Sequence, residues 1–260
     1  MKKSKIITGL IMLTALITSC NKETANPATS GAYPYSVRMT DAPALYDQVN
    51  IDVQGVVVTG SDGQTVSLNT HQGIYNLLDF TNGNETTIAS GTLADANVEQ
   101  VRLILGSNNS VVVNGVSYPL STPSAEQSGL KLQVHQTLEA GTSSSVLLDF
   151  DASKSIVAEG NGTFTLKPVI RSVDASISGS VSGSISPSST IALVTATSIS
   201  TNATFNSFSR GTGHFMIMGV PSGEYTVTIT PLFPLNLSAV TENNIKVTAG
   251  STTDIGTVIF

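Results

Sequence analysis

The sequence predicts an all-β chain: two consecutive β-sandwich domains behind a signal segment and a short flexible tether. Three observations predict it. Past residue 30, Val, Ile and Thr are frequent and charged residues are sparse, and β-branched side chains suit a pleated, half-buried surface. Short apolar runs are separated by Gly, Asn, Ser and Asp, the punctuation of strands joined by turns. No long 3.6-residue periodicity and no regular alternation of strands with helices appears, which argues against an α/β enzyme fold.

Residues 1–19 open on Lys2, Lys3 and Lys5, continue as an apolar run from Ile6 to Ile17, and end on Thr18-Ser19 before Cys20, the only cysteine. The run is too short for the roughly 20 residues that span hydrocarbon as a helix. Basic residues, a short apolar stretch and small residues at its end are the parts of a secretion signal. Ile17-Thr18-Ser19-Cys20 resembles the bacterial lipoprotein lipobox. The resemblance implies cleavage before Cys20 and a thioether from its sulfur to diacylglycerol, with acyl chains that gain about 0.8 kcal/mol per buried methylene. With Cys20 so used, no intrachain disulfide can form. Residues 20–33 are small and polar, as in a tether. Asn21 stands where an aspartate can hold lipoproteins at the inner membrane, so the expected address is the outer membrane, at the cell surface or on the periplasmic face. Glu23 alone would represent an acidic surface-export signal.

Residues 34–173 read as the first sandwich. From Tyr35, Val37 and Met39 share a face, and Val49, Ile51 and Val53 carry the period into the next strand. Val56 to Thr59 leads through Gly60-Ser61-Asp62-Gly63 to a hairpin partner at Thr65 to Leu68. Val111-Val112-Val113 and Val116-Ser117-Tyr118 flank Asn114-Gly115, the pair that best supplies two positive φ angles. Further strands are expected at Ile74 to Leu78, Val98 to Leu105, Leu130 to Leu138, Val146 to Phe150 and Phe164 to Leu166. Met39-Thr40-Asp41-Ala42-Pro43, Val101-Arg102-Leu103, Leu148-Asp149-Phe150-Asp151 and Leu166-Lys167-Pro168-Val169-Ile170 resemble a domain-of-unknown-function family of Gram-negative lipoproteins. That resemblance implies no activity.

Residues 174–260 read as the second sandwich. The Ser/Gly-rich stretch from Ser172 to Ser189 has a linker's composition, yet Ile177, Val181 and Ile185 are spaced to share one face of a strand. Strands follow near Ile191 to Ala196, Ala203 to Ser209, His214 to Met218, Tyr225 to Thr230, Ile245 to Thr248 and Ile255 to Ile259. In Gly213 to Val227, Phe215 and Ile217 share a face, Pro221 to Gly223 turns, and Tyr225, Val227 and Ile229 return along the partner strand. This pattern, with Ala249-Gly250-Ser251-Thr252-Thr253 and Ile255-Gly256-Thr257-Val258, resembles the carboxypeptidase regulatory-like, or transthyretin-like, family. Such domains imply a spacer, stabiliser or binding module.

Without residues 1–19 the chain keeps 9 Lys+Arg against 18 Asp+Glu. Nucleic acid is therefore not an expected partner, since phosphate contact needs a basic stripe. The acidic surface also leaves membrane attachment to the lipid.

Asp149-x-Asp151-x-Ser153-x-Ser155 spaces oxygens like the first half of a calcium loop, but Lys154 stands at position six and Gly160 at position twelve. The competing expectation puts Phe150 in the core and Asp149 and Asp151 in solvent. Asp41, Asp47, Asp52 and Asp79 are further oxygen donors without supporting spacing. Asp41 before Ala42-Pro43 is expected to start a turn, accepting a backbone N–H. Arg102 is expected to pair with a carboxylate. His71, His135 and His214 have no partners at metal or triad spacing, and His135 shares a solvent face with Lys131 and Gln133. No Gly-x-Ser-x-Gly precedes a helix. A Lys–Asn cross-link in the second sandwich is excluded, because no lysine lies between Arg171 and Lys246. Trp is absent, so a sugar would have to stack on Tyr33, Tyr35, Tyr46, Tyr75 or Tyr118.

The functional expectation is a lipid-anchored, non-catalytic interaction or adhesion module with an unidentified protein or glycan partner. A glycan- or small-ligand-binding accessory protein is the alternative, and a hydrolase stands third. No cofactor is expected beyond the lipid on Cys20, and Ca2+ would rest on Asp149 and Asp151 alone.

Overall fold

The computed structural model describes residues 31–42, 44–122, 128–209, 211–234 and 236–260. Cys20 and the signal segment lie outside the described residues. In chain order the first fourteen strands are β1 (Tyr33–Ala42), β2 (Gln48–Gly60), β3 (Thr65–Ser67), β4 (Asn69–Thr70), β5 (Gly73–Asn76), β6 (Thr86–Leu93), β7 (Asn97–Leu105), β8 (Ser110–Val113), β9 (Val116–Ser121), β10 (Leu130–Thr137), β11 (Ser144–Asp151), β12 (Ile156–Ala158), β13 (Phe164–Leu166) and β14 (Ile170–Asp174). A 3-10 turn covers Leu77–Phe80, and one short helix, α1, covers Ala152–Ser155.

These strands form two sheets, ordered β14-β11-β1-β6-β4 and β10-β7-β2-β8-β9-β13-β12, with β3 and β5 also on β2. Alternation places the core. Tyr35, Val37 and Met39 of β1 and Phe150 of β11 meet Ile51 and Val53 of β2 and Leu103 of β7 in one cluster, each almost wholly buried. β1 pairs antiparallel with β6 and parallel with β11. The Asn114-Gly115 hairpin forms as expected, with φ of 51° and 76°, and Asp47 accepts the Gly115 N–H at 2.8 Å.

The second group is β15 (Ser178–Ser186), β16 (Ile191–Ser198), β17 (Thr204–Ser209), β18 (His214–Pro221), β19 (Gly223–Phe233), β20 (Val240–Val247) and β21 (Thr252–Ile259). They form sheets β18-β15-β21 and β17-β16-β19-β20 around a separate core of Val181, Val194, Phe215, Ile217, Tyr225, Val227 and their neighbours.

Several expectations need correction. Val49 to Val53 and Val56 to Thr59 are one strand, β2, whose register shifts between Val53 and Gly55. The Ile74 strand stops at Asn76, whose side chain caps the 3-10 turn. Ile177 lies in the turn at 175–177 that precedes β15 and is 61% exposed, so it does not share a strand face with Val181 and Ile185. β18 and β19 are not a hairpin. They belong to different sheets, so Pro221-Ser222-Gly223 is an arch from one sheet to the other, tied by the Tyr225 hydroxyl donating to the Pro221 carbonyl at 2.7 Å.

Candidate functional site

Three of the residues singled out for chemistry, Asp41, Asp149 and Asp151, converge in one place, where β1, β11 and β14 meet β17 and β18. On β11 alternation sends Phe150 into the core and Asp149 and Asp151 to the opposite face. That face is not solvent at Asp149. Its carboxylate pairs with Arg171 of β14, 2.6 Å from Nε and 2.5 Å from Nη2. The same guanidinium donates to the carbonyls of Gly219 and Met218 at 2.6 and 2.7 Å and lies 4.7 Å over the Phe205 ring. A planar fork with several donors can serve a carboxylate, two carbonyls and a ring at once, as an ammonium cannot. Burial pushes the Asp149 carboxyl above its ordinary range and Arg171 draws it back.

Asp151 caps α1. Its Oδ1 accepts from the Lys154 N–H and the Ser153 hydroxyl, and its Oδ2 from Lys154 Nζ at 2.6 Å. The oxygen spacing that suggested half a calcium loop is thus a helix N-cap. Asp41 also departs from expectation. It accepts a backbone N–H, but from Ala152 at 3.0 Å, 111 residues away, and its Oδ2 has no hydrogen-bond partner. The side chain is 4% exposed. Burial, then the neighbouring charges of Asp149 and Asp151, hold its pKa well above the ordinary aspartate value against the pull of the Ala152 N–H.

Asn82 and Gly83 complete the junction. Asn82 Oδ1 accepts from Ser207 Oγ on β17 at 3.0 Å and from Met216 N on β18 at 3.3 Å. One loop residue thus caps two strands from the two sheets of the second sandwich. Asn82 and Gly83 have φ of 54° and 91°, and a Cβ on Gly83 would lie 2.7 Å from the Met216 sulfur. An outer cleft of about 150 Å³ is walled by Asp149, Asp151, Lys154, Arg171, Phe205 and Asn206. A chamber of about 10 Å³ is walled by Asp41, Asp149, Asn82, Asn206, Met216 and Met218, room for about one water.

The other candidates stay apart. Asp52 is buried and accepts from Asn108 N, Asn108 Nδ2 and Gln54 Nε2; Asp79 accepts from Asn76 Nδ2. Among the described residues no three His, Cys, Asp or Glu side chains converge as metal ligands. His71 lies 3.2 Å from the Thr87 carbonyl, His135 pairs with Glu99 at the surface, and His214 opens β18. Arg102 has no carboxylate partner among the described residues; the ion pair expected there is made by Arg38 with Glu85 and by Arg171 with Asp149. Tyr35 is buried and donates to Gln136 Oε1 at 3.0 Å, while Tyr33, Tyr46, Tyr75 and Tyr118 are half-buried and pack against the first core. Arg171, Asn82 and the Asn108-Asn109 pair escaped the sequence reading. Asn82-Gly83 did carry a signal, the same dipeptide that marked the hairpin at Asn114.

The family model described as "Domain of unknown function (DUF4382)" matches residues 34–168. The chain belongs to this family. The family segment therefore covers the first sandwich as far as β13, with Asp41, Asn82, Asp149 and Asp151, and stops short of β14 and Arg171. Among curated proteins none matches the chain. Solved structures with similarity include a leucine-rich repeat protein from Bacteroides thetaiotaomicron, 13% identical over 88% of this chain and 26% of that one, TM-score 0.23. A shaft pilin from Lactobacillus rhamnosus GG is 10% identical over 86% and 96% of the two chains, TM-score 0.23. A fimbrial anchor protein from Porphyromonas gingivalis is 9% identical over 87% and 90%, TM-score 0.19. The chain spans about a quarter of the leucine-rich repeat protein's length. At these scores the likenesses carry no functional weight.

Proposed function

We propose that the chain is a lipid-anchored protein of a Gram-negative envelope, held through Cys20 at the outer membrane on its cell-surface or periplasmic face, and that it works as a non-catalytic interaction or adhesion module. The observation that supports this best is the junction. Arg171 and Asn82 staple the second sandwich to the first through a carboxylate, two carbonyls, a ring, a hydroxyl and a backbone N–H. A unit joined this way presents its outer faces at fixed spacing, which suits holding a partner more than turning over a substrate. Side chains that catalysis would recruit are engaged in structural bonds, as with Asp149, Asp151 and Asp52. In this reading the second sandwich, of three- and four-stranded sheets, is a carboxypeptidase regulatory-like spacer or stabilising lid.

The deciding experiment is protease and antibody accessibility of the folded part on intact cells, beside a periplasmic control, with Cys20→Ser to release the anchor. Accessible domains that leave the membrane fraction in Cys20→Ser support surface display through the lipid. Protection until the outer membrane is opened ends the adhesion reading and directs attention to periplasmic partners.

One observation favours the glycan- or small-ligand-binding alternative. A polar groove of about 430 Å³ is walled by Gln136, Thr137, Glu139, Ser144, Asp174 and Ser176, among others, within the usual size range of ligand sites. Chemical-shift changes at these residues on adding neutral oligosaccharides would favour it; silence would remove it.

A further inference from the structure

Three carboxyl groups and two cations meet at the junction. Arg171 neutralises Asp149 and Lys154 neutralises Asp151. Asp41 is left over. One oxygen takes the Ala152 N–H, and the other is buried without a partner, in the wall of a chamber that holds about one water. The remaining neighbours offer it no counter-charge. Arg38, on the same strand, is paired with Glu85. Asp79 of the 3-10 turn is held by Asn76, and the Thr40 hydroxyl lies within reach of the Phe80 and Asn84 carbonyls. The second sandwich contributes Asn206, Met216 and Met218 to the chamber, none of them titratable. A metal ion would have to sit beside the Arg171 guanidinium, and no set of three ligating side chains converges among the described residues.

We propose that Asp41 is a proton-operated latch between the two sandwiches. With its carboxyl neutral, the chamber stays closed and β17 and β18 remain seated on Asn82; once the carboxyl ionises, an unpaired buried charge draws water in and loosens that seat. Burial and the two neighbouring carboxylates raise the folded-state pKa of Asp41 above its unfolded value. Its contribution to stability is then fully present below the ordinary aspartate range and is lost as pH rises through the raised value. Acidification tightens the junction, opposite to a salt-bridged aspartate.

The test is amide hydrogen exchange of the full chain at Met216, whose N–H is held by Asn82, from about pH 4 to about pH 9, corrected for intrinsic exchange. Protection in the natural chain should fall about tenfold or more across the Asp41 titration, and stay flat in Asp41→Asn, which keeps the shape of the neutral form. Carbon NMR of the Asp41 carboxyl, needing no variant, should titrate over the same interval. Protection that does not change with pH, an equal loss in Asp41→Asn, or a carboxyl titrating in the ordinary aspartate range would each overturn the latch. So would millimolar Ca2+ restoring protection at high pH, since the ligand of the cluster would then be a metal rather than a proton.

Discussion

The two sandwiches bury different kinds of polarity. The first encloses Asp41, Asp52 and Asn109, and all four ion pairs of the described residues lie within its segment or its closing strand β14. Among its buried polar residues the second has only hydroxyls, those of Ser178, Ser182, Thr190, Ser198, Ser207 and Ser209. It has just five charged residues from 175 onward: Arg210, Glu224, Glu242, Lys246 and Asp254. A hydroxyl can be satisfied on a nearby carbonyl, as Ser209 is on Thr190 at 3.1 Å, and the Thr190 hydroxyl is buried without a partner at no cost in charge. Buried carboxylates need a cation, a proton or several N–H donors, such as Asp52 draws from Asn108 and Gln54, and finding them constrains distant elements. The first sandwich therefore carries the electrostatic specificity, and the second accepts it at a few backbone groups.

The strongest way to break that asymmetry is Arg171→Met. It leaves Asp149 buried without its cation and frees two carbonyls, for an expected loss of about 3 kcal/mol. Calorimetry should also show the second sandwich melting apart from the first. A loss under about 1 kcal/mol with one shared transition would mean that the coupling runs elsewhere. Gly83→Ala is next, at about 1–2 kcal/mol in a urea titration, because φ of 91° strains an alanine. Adding Met216→Ala should relieve the contact with the new methyl but not the backbone strain. Full recovery would place the whole cost in the clash. Glu99→Gln should change stability by no more than about 0.5 kcal/mol, since its partner His135 has a side chain 67% exposed. A larger change would give surface charge in the first sandwich a weight that the comparison denies it.

Alternation in β1, β2, β7, β11 and β18 was legible because each strand has one face on a core. β6 was not, since Thr86–Leu93 reads as polar and small; it becomes a strand by lying between β1 and β4. For the site, the sequence singled out Asp41, Asp149 and Asp151, and the period placed Asp149 on the outer face correctly. A period of two says which face a residue takes, but not what covers that face. Here β17 and β18 cover it, and their contact with β11 is set by Arg171, which stands just past the Leu166-Lys167-Pro168-Val169-Ile170 run and outside it.

β1 finds its parallel partner very late. Tyr35 pairs with Ser144 and Ala42 with Asp151, so one edge of the first strand waits for more than a hundred residues to follow it. At roughly 5–20 residues per second of synthesis, that wait lasts about 5–20 s. The antiparallel edge can close earlier on β6, but the sheet is incomplete until β11 arrives. Non-local pairing of this kind makes folding slow.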